Sequence, residues 1–285
     1  MNHLPESELI LNRNGSVYHL NLLPENIADT IITVGDPERV AQVSRHFDSI
    51  EFKTRKREFV THTGSYNHKR ISVISSGIGT DNVEILMNEL DALANVDLKT
   101  RKIKEEGKKL NIIRIGTSGA IQREISIGSY VASVGAIGLD SLMFFYRLPQ
   151  SDSDHEISSE LQKFTGIGFK PYHVQGSVSL LEKFGFDMIQ GNTLTCPGFY
   201  VPQGRELRIS AIIPDLLQKM SLFNKEAFNL TNLEMETSGY YALGKIFNHE
   251  TLSLNAILSN RIDSTFAKNP KKIVEGLIEL TLNRL

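Results

Sequence analysis

Arg114 sits inside the apolar run Asn111-Ile112-Ile113-Arg114-Ile115, where a lone charge is expensive unless it is paired or meets a ligand. Gly116-Thr117-Ser118-Gly119 follows directly and reads as a loop offering two hydroxyls and backbone donors. A guanidinium beside such a loop suits an inorganic oxyanion, because it pairs bidentately with phosphate oxygens. A structural carboxylate facing Arg114 would explain it equally well. A second junction, Gly35-Asp36-Pro37-Glu38-Arg39, places a glycine and the first turn of a helix beside an arginine; such a turn presents unpaired N–H groups and a positive dipole end. Alone, it is better read as a tight strand-to-helix turn. A third, Ser75-Ser76-Gly77-Ile78-Gly79-Thr80-Asp81-Asn82, has Asn82 where a dinucleotide fingerprint needs its last glycine, and the chain carries no P-loop motif.

Two further segments complete the set. Glu234-Met235-Glu236 precedes the apolar run Ser238 to Phe247. A carboxylate there can hold two vicinal hydroxyls, or merely favour a helix dipole. Phe199 to Arg205 (FYVPQGR) combines an aromatic, an amide and a guanidinium, the groups needed to stack on a planar base and bond its edge, though a surface turn could also contain them. Each junction is weak alone; together they gain force.

The elements that must position these residues follow from hydrophobic pattern. Runs at 31–34, 71–74, 111–115, 130–134 and 256–258 are short, apolar and rich in β-branched residues, which predicts strands. Val83, Leu86, Met87, Leu90 and Ala94 follow helical spacing, with Asp81 and Glu84 placed like a capping box. A helix over 37–47 is predicted with Asp36 as N-cap and Pro37 in its first turn. Others are expected over 212–228, 235–247 and 271–282, and the polar stretch 150–160 reads as a loop leading into a helix capped near Ser151 or Ser153. Strands alternating with helices give an α/β protein, its sheet covered on both faces.

Composition narrows the class. The chain has 285 residues, 31 Lys+Arg against 33 Asp+Glu, 40% hydrophobic residues and one cysteine. The size permits a large core. The net charge of −2 gives no footprint for nucleic acid, and a single cysteine, Cys196, cannot form an internal disulfide, which fits a reducing, cytoplasmic setting. No leader-like start or apolar span of about 20 residues is present, so no membrane partner is expected. No linker or repeat divides residues 1–285, so one domain is expected; the charged stretch 99–109 reads as a solvated helix end and loop.

VGDPERV, SSGIGT, RIGTSGAIQ, FYVPQGR, LEMET and SNR occur in this order and resemble the uridine phosphorylase branch of the nucleoside phosphorylase-I family, from about His19 to the C-terminal helix. The resemblance implies a single α/β domain with a central mixed, partly barrel-like β-sheet flanked by α-helices. It implies cleavage of a nucleoside by inorganic phosphate, giving free base and ribose 1-phosphate. By position, Gly35, Arg39, Arg114 and Thr117 match the phosphate site. Arg57 and His19 match residues lent across a dimer interface, to phosphate and to the ribose 5′-hydroxyl, so a homo-oligomer is implied. Met235 and Glu236 match the ribose floor, Glu236 accepting from the 2′- and 3′-hydroxyls. Gln203 and Arg205 match the readers of the uracil edge, Phe199 packs on the ring, and Arg261 orients Arg205 or a water. Among these, Arg39, Arg114, Arg205 and Glu236 would carry catalysis. No cofactor or metal is implied beyond a monovalent cation at the glutamate matching Glu58, and Asn82, where several bacterial relatives carry serine, counts against that cation. The insertion at 99–109 has no counterpart role.

Two rivals remain at this level. Purine-cleaving members place an Asp after the late strand to protonate the base. Asn260 stands there and cannot act as an acid, although Asp263 lies close in sequence. A silent nucleoside-binding protein on the same fold is the other, since fold does not fix function; three retained phosphate arginines disfavour it, and disfavour a hydrolase.

Overall fold

In the computed structural model, which describes residues 3–225 and 228–285, the elements follow in the order β1 Thr30–Val34, α1 Pro37–Ser44, β2 Ser49–Lys56, β3 Phe59–Tyr66, β4 Lys69–Ser75, α2 Thr80–Asn95, β5 Val96–Asp97, β6 Lys102–Ile103, β7 Asn111–Ala120 and β8 Tyr130–Gly138, then α3 Asp152–Thr165, β9 Tyr172–Gln175, α4 Val178–Phe184, β10 Ile189–Thr195, α5 Leu216–Leu222, β11 Asn224–Lys225, β12 Phe228–Glu234, α6 Thr237–Phe247, β13 Glu250–Asn260, β14 Thr265–Phe266 and α7 Pro270–Leu282. The main sheet runs β11-β12-β10-β8-β13-β7-β1-β4-β3-β2, and β12 also pairs with β7. That extra antiparallel pairing, Asn232 opposite Ala120 and Leu233 opposite Gly119, closes β12, β10, β8, β13 and β7 into a five-stranded barrel. The rest of the sheet opens from it through β1.

Alternation along β1 and β7 shows why both faces are covered. Ile31 and Ile112 join the core under α2 and α6; their neighbours Ile32 and Ile113 join the core under α1, α4 and α7. A third core, with Leu194, Leu230 and Leu233, lies beneath α3 and α5. The mixed, barrel-like α/β architecture expected from the resemblance is thus observed, with β1, β4, β7 and β13 on the predicted strands. No helix among the described residues is long and apolar enough to cross a membrane.

Several local expectations are corrected. The predicted loop at Gly116 to Gly119 is strand: β7 continues to Ala120 because β13 pairs with it along its whole length. The predicted helix at 212–228 shrinks to α5. Residues 224 and 225 form β11 and residue 228 begins β12, because β12 is needed to close the barrel; 226 and 227 lie outside the described residues. Asp81 and Glu84 form no capping box, since α2 begins at Thr80 with Gly79 as its N-cap, at φ +94° and with no side chain to accept a hydrogen bond. Helix α1 stops at Ser44, short of Phe47, and α6 starts at Thr237 rather than Met235. The caps at Asp36 and Ser151 are as expected, accepting from the N–H groups of Glu38 and Asp154. The stretch 99–109 is not only helix end and loop: Lys102–Ile103 pairs with Val96–Asp97, and His3 bridges to Lys102, so it fastens the N-terminal segment.

Candidate active site

A cavity of about 850 Å³ opens where β1, β7, β12 and β13 end. Gly35, Arg39, Arg114, Thr117, Phe199, Gln203, Arg205, Met235 and Glu236 all line it, so nine of the residues singled out in the sequence come together from four separate segments. Arg261 stands just behind, its Nη1 donating to the Gln203 carbonyl at 3.0 Å. His19 and Arg57 do not line it. Arg57 is exposed at the β2–β3 turn with φ +54°, and His19 is held away on the surface of the N-terminal segment. Sequence reading missed Glu89 of α2, whose carboxylate accepts from the backbone N–H of His19 and Leu20 and meets His19 Nδ1 at 2.8 Å.

Arg114 resolves its two readings by satisfying both. It is 4% exposed and lines the cavity, yet Nη2 pairs with Glu234 at 2.9 Å and with Glu236. Nη1 donates to Asn255 at 3.0 Å and Ser253 at 3.2 Å. Its Nε alone has no partner among the described residues. Gly116 is required beside it: a Cβ there would lie 1.8 Å from Nη1. Glu234, noticed in the sequence only as part of its segment, ends β12 and accepts from Thr195 Oγ1 at 2.7 Å and from the N–H groups of Glu236 and Thr237. It thereby fixes the entry to α6. Gly79, in a left-handed conformation that favours glycine, donates its N–H to Glu236 at 2.8 Å; this is what the SSGIGT turn does.

Burial raises the Glu236 carboxyl, a rise that Arg114 opposes and the neighbouring Glu234 charge reinforces. Burial lowers Arg39, and the nearby Arg114 charge adds to this while Asp36 resists it. Burial and then Arg261 lower Arg205. The cations therefore form two groups, Arg39 with Arg114 and Arg205 with Arg261. Arg205 stacks 3.8 Å over the Phe199 ring and donates to the Phe199 carbonyl at 2.6 Å, and it bonds Gln203 Oε1. One group suits an oxyanion and the other the polar edge of a planar ring, with Glu236 near the first. Cys196 is fully buried and its thiol pushed up by that burial, an inert packing residue.

A family model described as the phosphorylase superfamily matches residues 29–278. A uridine phosphorylase of Thermococcus kodakarensis is 28% identical over 90% of this chain and 82% of its own length. A DeoD-type purine nucleoside phosphorylase of Alkaliphilus metalliredigens is also 28% identical, over 93% and 97%. A Trypanosoma brucei nucleoside phosphorylase, described as showing uridine phosphorylase activity, superposes with a TM-score of 0.88 at 25% identity, covering 97% of this chain and 99% of that one. The matched span covers the cavity and the strands that build it, and on that ground the chain belongs to the phosphorylase superfamily, as an enzyme of the nucleoside phosphorylase kind.

Proposed function

We propose that this enzyme is a uridine phosphorylase, cleaving the N-glycosidic bond of uridine with inorganic phosphate to give uracil and ribose 1-phosphate. The observation that carries the choice of pyrimidine is the state of Asn260 and Asp263. Asn260 Nδ2 donates to the carbonyls of Gln122 and Ile125, and its Oδ1 accepts from the N–H of Ile262 and Asp263. Every bond it makes is to backbone, so it braces the turn after β13. Asp263 lies 3.8 Å from Arg123 and does not line the cavity. A purine leaving group wants a proton donor at its ring, and neither residue supplies one. A uracil leaving group departs as a delocalised anion and needs donors, which Gln203 and Arg205 provide.

In this reading phosphate sits between Arg39, Arg114, Thr117 and the Gly35 turn. Arg114 keeps its Nη groups on protein partners and lines the cavity with its guanidinium beside this anion. As the glycosidic bond lengthens the ribose gains positive charge, and hydrogen bonds from its hydroxyls to Glu236 strengthen, as in glycoside cleavage. Donors already oriented toward developing charge are usually the largest catalytic contribution. No cofactor enters. A cation at Glu58 is given no part in this reading, since Asn82, whose amide donates to the Ile78 carbonyl at 3.0 Å, stands where a hydroxyl ligand would be needed. The partner subunit's His19 and the partner subunit's Arg57 complete the site in a homo-oligomer; the firm hold of Glu89 on His19 supports a residue kept ready at a surface.

Uridine, thymidine, inosine and adenosine, each with and without phosphate, test this by base release. Uracil release only with phosphate is expected. Preference for inosine would move the enzyme to the purine side, release without phosphate would make it a hydrolase, and no release would leave a binder.

A further inference from the structure

The interior of the five-stranded barrel is polar, and all five strands contribute to a hydrogen-bonded belt, β7 with two side chains and the other four with one each. Asn255 of β13 accepts from Arg114 and donates to Ser133 of β8 at 3.2 Å. Ser133 meets Thr193 of β10 at 2.6 Å, Thr193 bonds Asn232 of β12 at 2.9 Å, and Asn232 bonds Ser118 of β7 at 2.9 Å. Arg114 and Ser118 are both on β7, so the belt begins and ends on one strand, and both ends line the cavity.

The belt has a direction. Arginine is only a donor, so the Asn255 oxygen must face Arg114 and its NH₂ must face Ser133. Ser133 then accepts from Asn255. It is fully buried, and its own proton is satisfied only if it donates to Thr193; an idle buried hydroxyl proton is costly. Thr193 accordingly donates to the Asn232 oxygen, and the Asn232 NH₂ donates to Ser118. The Ser118 oxygen is thereby taken, and its proton points onward. We infer that the belt fixes Ser118 as a hydrogen-bond donor into the cavity, one that contacts an acceptor oxygen of the nucleoside, and so makes Ser118 a specificity-determining residue whose orientation is set from the phosphate-side Arg114. This rests on the cavity taking a nucleoside and phosphate.

Steady-state kinetics with uridine and phosphate test it. Ser118→Ala should raise KM for uridine about three- to tenfold and leave KM for phosphate within about twofold of wild type. Thr193→Val, which cuts the belt at a residue that does not line the cavity, should raise KM for uridine in the same sense, and Thr193→Ser should restore it. In the double variant Ser118→Ala/Thr193→Val the second change should add nothing, because the two act through one hydrogen bond. Should Thr193→Val fail to fold, Ser133→Ala cuts the same chain. An unchanged uridine KM in Ser118→Ala, equal loss for both substrates, or full additivity would overturn the inference. If inosine proves to be the substrate, the same variants are read with inosine. If wild type cleaves no nucleoside, the parent reading fails by itself; calorimetric affinity for uridine and inosine then decides the belt, which falls if Ser118→Ala binds both as wild type does.

Discussion

Arg114 and Arg39 would hold the same anion, yet they stand in opposite positions energetically. Arg114 balances two buried carboxylates, Glu234 and Glu236. Removing one partner of such a cluster leaves charge uncompensated inside the protein, at about 3–5 kcal/mol. Arg39 is only partly buried and makes no ion pair among the described residues; its single side-chain bond is a long one, 3.5 Å to the Ile115 carbonyl. Arg114→Ala should therefore lose both activity and stability, whereas Arg39→Ala should lose turnover by on the order of 10²–10³ while its urea midpoint stays close to wild type. Urea unfolding beside initial rates separates them. An Arg114→Ala protein as stable as wild type would contradict the buried cluster, and near-normal turnover in Arg39→Ala would remove the phosphate assignment. The arginines were legible because a charge in an apolar strand is anomalous by itself. Asn255 was not, and Glu234 and Ser118 were noticed only as parts of their segments, because nothing local marks a polar residue's partner when it lies on a strand more than a hundred residues away.

At the scale of elements, the strands flanked on both sides by helices were legible as short apolar runs, and α1 and α3 by their caps. The barrel strands hid in plain alternation. Thr193-Leu194-Thr195, Asn232-Leu233-Glu234 and Ser253-Leu254-Asn255 alternate polar with apolar, a pattern that ordinarily means a half-solvated sheet; here the polar side faces the barrel axis and the apolar side faces helices. The region at 212–228 misled for another reason: its apolar residues serve a short helix and then a closing strand, and only the tertiary demand for closure separates them. One joint between elements carries its own pH dependence. His173 of β9 meets Asp154 of α3 at 2.7 Å, both almost fully buried. Burial lowers the His173 pKa despite Asp154, while bonds from Ser151 and His173 hold the Asp154 carboxyl low against its burial. With the histidine pKa lower in the folded state, the unfolded chain binds more protons just below pH 6.5, so stability is lost as pH falls through that window. Asp154, also lowered, adds a second loss as pH falls below about 3.8. Burial raises Asp140 and works the other way, so the joint is read by comparison between proteins. His173→Gln should flatten the fall in Tm between about pH 7 and pH 5; an unchanged slope would show that the joint does not titrate on folding.

For the whole molecule, the near-balance of 31 basic and 33 acidic residues is repeated in the cavity, where Arg39, Arg114 and Arg205 stand among Asp36, Glu58, Glu234 and Glu236. What the single chain leaves out of that cavity is as informative. His19 is half-buried and held by Glu89, Arg57 is exposed at the β2–β3 turn, and neither lines the cavity of its own chain. If a second copy supplies them, each active site contains residues of two chains. His19→Ala then damages the site of the neighbour, and Glu236→Ala damages its own. Mixed after dissociation and reassembly, the two variants should form heteromers in which some sites carry both native residues, and activity should rise well above the sum of the separate proteins. For a dimer assembled at random from equal parts, half the molecules are mixed and each has one intact site, so the mixture should approach about a quarter of wild-type activity if each variant alone is inactive. No rise on mixing, or a wild-type protein that is a fully active monomer by light scattering at assay concentration, would show that one chain makes the whole site.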